Sequence, residues 1–220
     1  MPSITPRPAA SVIAVRRNNG CTEVLLVKRN ASLAFLGDTW VFPGGKIDPQ
    51  DQTGSEEASA RKAACRELQE ETALLIEQSV LLPFSHWTTP TGGSHRYATW
   101  FYLGAVGHDD EVVVDGSEIV DHRWAPAAEL LAQQARGELR LSAPTYVSLW
   151  QLDQHALRVD RLQLDSLPDF TRYRPRIAAL ENGCCALYEG DAGYDSTDIE
   201  VAGPRHRLWM ISDGWRYERD

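Results

Sequence analysis

Three glutamates, Glu67, Glu70 and Glu71, are spaced by three and four residues in a stretch without glycine or proline. On a helix these spacings place the carboxylates within an arc of roughly 100°, since each residue advances about 100°. Side chains so placed can converge on one point. Their mutual repulsion weakens a helix by about 0.2 to 0.5 kcal/mol per pair, so the cluster needs an offset. A divalent cation supplies one, and ligation by oxygen alone favours magnesium or manganese. On the helical wheel Glu71 falls between Ala60 and Ala64, toward the apolar side with Leu68 and Leu75, so it is not simply an outermost solvated residue. An isolated acidic pair is more often a solvated helix face, and the surrounding sequence decides between the two readings.

The elements that must hold this cluster are legible around it. Ser55 to Leu75 is rich in Ala, Glu, Arg and Leu, which predicts a helix of several turns with Ser55 as its N-cap. Upstream, Trp40-Val41-Phe42 reads as a strand running into Pro43-Gly44-Gly45, where glycines allow backbone approaches that side chains would block. Ser11 to Arg16 and Glu23 to Lys28 flank Asn18-Asn19-Gly20, a hairpin signal. Arg96 to Leu103 and Glu118 to Trp124 read as strands, Pro126 to about Gln134 and Pro144 to about Leu152 as helices. Beyond residue 153, apolar clusters at Ile177 to Leu180, Cys184 to Leu187 and Leu208 to Ile211 alternate with Gly, Asp and Pro, which predicts a small strand-rich extension. There Gly190-Asp191, Arg205-His206-Arg207 and Trp215-Arg216-Tyr217 either line a substrate edge or close the sheet, and packing is the favoured reading.

Bulk properties bound the function. A chain of 220 residues, 43% hydrophobic and 24% charged, suffices for one full core, so we expect a Pro-rich leader over 1–9, a main domain over 10–152 and the extension over 153–220, packed on that domain. A net charge of -9 argues against nucleic acid as a partner, although metal ions can still bring a small anionic substrate to an acidic protein. No apolar run is long enough to span a membrane, and Cys21, Cys65, Cys184 and Cys185 show no paired spacing. A cytoplasmic location is expected, with a homodimer as the candidate assembly.

The phrase Trp40-Val41-Phe42-Pro43-Gly44-Gly45-Lys46-Ile47-Asp48, followed by Arg66-Glu67-Leu68-Gln69-Glu70-Glu71, resembles the Nudix box, G-x5-E-x7-R-E-U-x-E-E-x-G-U with U apolar. The resemblance implies an α+β Nudix fold, a mixed sheet sandwiched between helices. It also implies a magnesium-dependent hydrolase, with manganese as the other candidate ion, that cuts the diphosphate of a small nucleoside diphosphate derivative. By the same resemblance Gly44 offers its carbonyl to metal, Arg66 braces the loop through an ion pair, and Glu67, Glu70 and Glu71 bind metal or activate water. An acidic residue on a later strand often joins such a site; Glu118 matches best and Asp121 is the runner-up. Lys46 and Arg96 are candidates to meet substrate phosphates. Trp40 and Trp87 are candidates to stack on a base, with core packing as the commoner role of a tryptophan.

Two departures from the pattern carry information. Gly45 to Arg66 is 21 positions where the pattern has 14, an insertion around Asp51 to Ser59. The isolated glutamate of the box therefore cannot be placed by counting, and Glu56 and Glu57 are the candidates to pair with Arg66. Ala73 replaces the usual glycine, which a backbone at negative φ tolerates, so a longer or differently ended helix is expected. Widely spaced boxes of this form are similar to those of the coenzyme A diphosphatase branch, especially its peroxisomal members. Leu25-Leu26-Val27-Lys28-Arg29, Trp87-Thr88-Thr89-Pro90, Arg96-Tyr97-Ala98-Thr99 and Glu118 to Trp124 extend that likeness over about Val12 to Leu152. The rival readings are a non-catalytic Nudix-like nucleotide-binding module, expected to have lost glutamates that are intact here, and an isomerase of the same fold, which would pair an acid with a cysteine such as Cys65.

Overall fold

A computed structural model describes residues 4–92, 95–155, 167 and 169–220. The first three residues of the expected leader, and 156–166 and 168 of the expected extension, lie outside the described residues. Strand β1 (Arg7–Asn18) begins inside the segment read as a leader and turns into β2 (Cys21–Arg29). Asn19 and Gly20 both take positive φ, 48° and 83°, the conformation of a type I′ turn that matches the twist of a hairpin.

The main sheet gathers β3 (Trp40–Val41), β4 (Gly44–Lys46), β5 (Leu82–Thr88), β6 (Tyr97–Ala105), β7 (Ile119–Ala125) and β8 (Thr171–Tyr173) around this hairpin. The order is β3-β2-β1-β6-β5-β8, with β4 also paired to β1 and β7 to β2. β1 runs parallel to β6 and β5 parallel to β8, while the other pairs are antiparallel, so the sheet is mixed. Residues 9–15 of β1 are nearly all fully buried, because helices cover both faces of the central strand.

Helix α1 (Glu56–Thr72) covers one face. Its Ala60, Ala63, Ala64 and Leu68 pack on Ala10, Val12 and Ala14 of β1, small residues that let helix and strand approach closely. α2 (Ala127–Ala135) and α3 (Ala143–Gln154) cover the other face, where Ile13, Val15, Phe42, Phe101 and Val147 share a core. Ser55 caps α1 by accepting from the Ala58 amide at 3.2 Å.

The end of α1 corrects the expectation of a longer or differently ended helix. It stops at Thr72, and Ala73 takes the left-handed conformation (φ 62°) in which its amide still bonds the Gln69 carbonyl at 2.9 Å. The chain must turn there to carry Leu74 into the core, so the cap geometry persists although the residue has a Cβ. An alanine held left-handed is strained by about 1–2 kcal/mol, partly offset by its smaller loss of unfolded-chain entropy. Ala73→Gly is therefore expected to stabilise the protein by about 0.5–1 kcal/mol, raising the thermal midpoint by roughly 2 °C. A midpoint that falls would show that no strain resides at this cap.

Beyond β8 the chain forms a separate antiparallel sheet of β9 (Arg176–Leu180), β10 (Gly183–Leu187), β11 (His206–Ile211) and β12 (Gly214–Arg219), in the order β12-β11-β10-β9. Its Ala186, Leu208 and Tyr217 join the same core as α3, Tyr173 stacks on Trp87 with centroids 3.9 Å apart, and Tyr146 Oη donates to the Trp215 carbonyl at 2.9 Å. Asp191 and Arg207 form a buried two-pronged ion pair, both contacts 2.7 Å, and Asp191 also accepts from the Gly193 and His206 amides. Those residues therefore hold the sheet together, while Trp215 borders a cleft. No helix among the described residues is long and apolar enough to cross a membrane.

Candidate active site

The glutamate helix meets the glycine strand edge-on. β4 pairs with β1 so that Gly44 faces Ser11, and a Cβ at Gly44 would fall 2.4 Å from the Ala10 carbonyl oxygen. A Cβ at Gly45 would fall 2.4 Å from the Glu67 carboxyl, so the second glycine is what admits Glu67 against the strand. The Gly44 amide donates to Glu71 Oε2 at 2.8 Å. Glu71 is 5% exposed, which explains its place on the apolar side of the wheel. Burial pushes its carboxyl up to about 8; the Gly44 amide and Arg29 oppose the rise, and Glu67 and Glu118 add to it. Burial likewise raises Glu67, against the pull of Arg66.

Arg66 organises the rest. Its Nη1 donates to Glu67 at 2.9 Å and to Glu70 at 2.8 Å, and its Nη2 donates to the Lys46 carbonyl at 3.0 Å. Its counter-ion corrects the expectation of Glu56 or Glu57. Asp51, fully buried, receives Nη2 at 2.8 Å and Nε at 3.2 Å, whereas Glu56 accepts from Trp100 Nε1 and Glu57 pairs with Arg61. The reason lies in the insertion, where Pro49–Asp51 forms a turn of 3-10 helix whose Asp51 carboxyl also accepts from the Asp48 amide at 2.9 Å. This capping box folds the inserted chain back under Arg66. Burial works against ionisation of Asp51, but Arg66 and the Asp48 amide outweigh it and hold the carboxyl below the usual carboxylate range.

One cleft of about 1600 Å³ joins these groups. Gly44, Lys46, Arg66 and the three glutamates line it, and Glu118 lines it from the segment before β7. Asp121, the runner-up, is exposed on β7 opposite Lys28 and does not line it. Trp87 lines the cleft with one face against Tyr173. Trp40 is 5% exposed in the core beneath Arg123, away from the cleft, because the short β3 pairs with β2 and bridges to Leu141. Arg96 is also away from it: its guanidinium donates to the Thr89 and Ile4 carbonyls and ties the β5–β6 connection to the chain start. Arg29, quoted in the sequence only within the Leu25 to Arg29 motif and given no site role there, lines the cleft near Glu71; its place at the end of the apolar Leu25 to Val27 run was the available signal.

Among the described residues no three acidic, histidine or cysteine side chains converge closely enough to form a ready metal cage. Glu67 and Glu70 turn to Arg66 and Glu71 turns to the Gly44 amide. The chemistry of the donor set nonetheless fits a hard cation: all the donors are oxygens, and Glu71 combines burial with a carboxylate neighbour, which a bound cation would offset.

Comparison with known proteins converges on the same segment. A family model described as NUDIX domain matches residues 5–145. Putative nudix hydrolase 7 of Caenorhabditis elegans is 28% identical over an alignment covering 67% of this chain and 61% of that protein, so the chain spans 61% of the length of this relative. Among solved structures, a NUDIX hydrolase from Alicyclobacillus acidocaldarius superposes with a TM-score of 0.64 at 23% identity, covering 73% of this chain and 98% of that one. The NUDIX domain of Shewanella oneidensis NrtR, complexed with ADP ribose, gives 0.54 at 18% identity, covering 70% of this chain and 90% of that one. At these identities the two structures speak for fold alone. The family match takes in the glycine strand, the braced arginine and the glutamate helix together, and by it the chain belongs to the Nudix family.

Proposed function

We propose that this chain is a magnesium-dependent pyrophosphohydrolase that cuts the diphosphate linkage of a nucleoside diphosphate derivative. The observation that carries the reading is Glu71, a buried carboxylate raised to about 8 beside Glu67, at the wall of a cleft large enough for such a substrate. Glu67, Glu70 and Glu71 would hold the cation, with the Gly44 carbonyl and Glu118 completing the set. When bound, the cation neutralises diphosphate oxygens and makes water more acidic.

The chain's own residues set the geometry. Asp51 and the Lys46 carbonyl fix the Arg66 guanidinium, which in turn holds Glu67 and Glu70 in place. Glu71 must give up its proton to act as a ligand, so occupancy rises with pH. Lys46 and Arg29 bring cationic charge to the substrate phosphates, and Glu67 or Glu118 takes the proton of the attacking water. Water adds to one phosphorus, the bridging P–O bond breaks, and the departing phosphate keeps the bridging oxygen and its electron pair. The products are a nucleoside monophosphate and a phosphorylated remainder.

The insertion in the box and the flanking matches support coenzyme A or its acyl esters as the substrate class within this reading. ADP-ribose and dinucleotides such as NADH are the other members of the panel that tests it. The four cysteines are unpaired, in keeping with the cytoplasmic location we propose. With magnesium, one substrate class is expected to yield the two phosphorylated products identified by mass, and chelation should slow the reaction at least about a hundredfold. An unchanged rate in chelator, or no cleavage of any compound, would count against the assignment.

A further inference from the structure

The cleft does not end at the glutamates. Its volume of about 1600 Å³ exceeds the roughly 300–1,000 Å³ that encloses a drug-sized ligand, and it continues onto the second sheet. Pro175, Ile177, Ala186, Tyr188, Met210 and Trp215 line it from β9–β12 and the segment preceding them. No residue with a formal charge enters the cleft from this sheet. Leu139 and Leu141 of the α2–α3 connection line the same cleft. Ile177 is 41% exposed, more than an aliphatic side chain on a packed sheet needs to be, and Met210 is half-buried.

We propose that the C-terminal sheet forms an apolar subsite for the part of the substrate attached to the second phosphate, so that diphosphates bearing an aliphatic group there are preferred. This deepens the pyrophosphohydrolase reading and rests on it. The occupant follows from continuity, since the apolar wall and the catalytic glutamates bound one cavity and a substrate seated at Glu67 and Glu71 reaches the wall along it. An aliphatic occupant suits the wall better than a nucleobase, because saturated side chains dominate it and a base asks for hydrogen-bond partners. A base has aromatic surface elsewhere in the cleft, where Phe35 packs against Tyr97 with centroids 5.1 Å apart. The wall is held firmly: β8 pairs with β5, Tyr173 stacks on Trp87, and Tyr146 grips the Trp215 carbonyl.

The test compares two adenosine diphosphate esters, one with methyl and one with hexyl on the terminal phosphate, on the full chain with magnesium. The wild-type ratio of kcat/KM, hexyl over methyl, is expected to be at least about tenfold from burial of the added methylenes. Ile177→Asp places a carboxylate in the wall at an exposed position that the fold tolerates, and Met210→Ser trims it from the neighbouring region; the ratio should fall toward one in either variant. A wild-type ratio near one, or a ratio that neither substitution lowers, overturns the subsite. If neither ester is hydrolysed, the hydrolytic reading loses support by itself. The ratio is then read from dissociation constants by calorimetry, where loss of hexyl preference in either variant sustains the subsite and its absence in wild type overturns it.

Discussion

Glu71→Gln is expected to remove a pH-dependent weakness from the metal-free protein while removing magnesium-dependent turnover. The carboxyl sits at about 8 in the folded chain because burial disfavours its charged form, against an ordinary value of 4.5. Between those values the folded state holds a proton that the unfolded state has released, so stability falls as pH rises. From pH 5 to pH 8 the difference integrates to about 3 kcal/mol at 1.36 kcal/mol per unit. Gln keeps an oxygen for the Gly44 amide and cannot ionise, so the variant should lack this fall. Its absolute stability also reflects a buried amide NH2, which costs about 1–3 kcal/mol if unpartnered, so the informative quantity is the difference in slope. Urea unfolding in chelator at several pH values measures it. Parallel curves for wild type and variant would show that Glu71 is ionised in the folded chain at ordinary pH. In activity the change should cost roughly a hundredfold or more, because a neutral amide is a poor ligand for a hard cation.

The contrast between Glu71 and Asp51 shows where the sequence is legible. Glu71 could be assigned to the apolar side of its helix because helical periodicity is local and the surrounding Ala60, Ala64 and Leu68 define the buried face. The strands of the hairpin, the aromatic strand β6 and the helices after Pro126 and Ser142 follow from the same kind of local signal. Asp51 was hidden because its function depends on the path of an insertion, and counting from the box assumes that no residues intervene. A signal was present, since Asp48-Pro49-Gln50-Asp51 has the N-cap aspartate, early proline and third-position acid of a capped turn. Arg96 and Trp40 show the converse. Their residue types suit a phosphate and a base, but Arg96 is consumed by backbone carbonyls and Trp40 by the core, outcomes set by contacts distant in sequence. The pairing of the C-terminal strands into a second sheet, and its reach into the cleft, are equally long-range.

Asp51→Ala is expected to be the most destabilising change at the site that leaves all three glutamates in place. The side chain is fully buried and receives two nitrogens of Arg66 and the Asp48 amide, so its loss leaves three donors unmatched around a guanidinium that is mostly shielded from water. Removing one partner of such a pair costs about 3–5 kcal/mol, far more than an exposed pair is worth. Glu57→Ala breaks the exposed i,i+4 pair with Arg61 and supplies the comparison, with an expected cost below about 1 kcal/mol. Activity should fall as well, since Arg66 freed from Asp51 no longer holds Glu67 and Glu70 in their present positions. Combining Asp51→Ala with Arg66→Met removes the unmatched guanidinium donors but also the cation paired with Glu67 and Glu70, so only part of the stability should return, and turnover should stay low because the glutamates have lost their brace. Denaturant midpoints with kcat for the three proteins decide the matter. If Asp51→Ala costs no more than Glu57→Ala, the turn at Pro49–Asp51 does not anchor the site, and the insertion would be a loop laid over a box that holds without it.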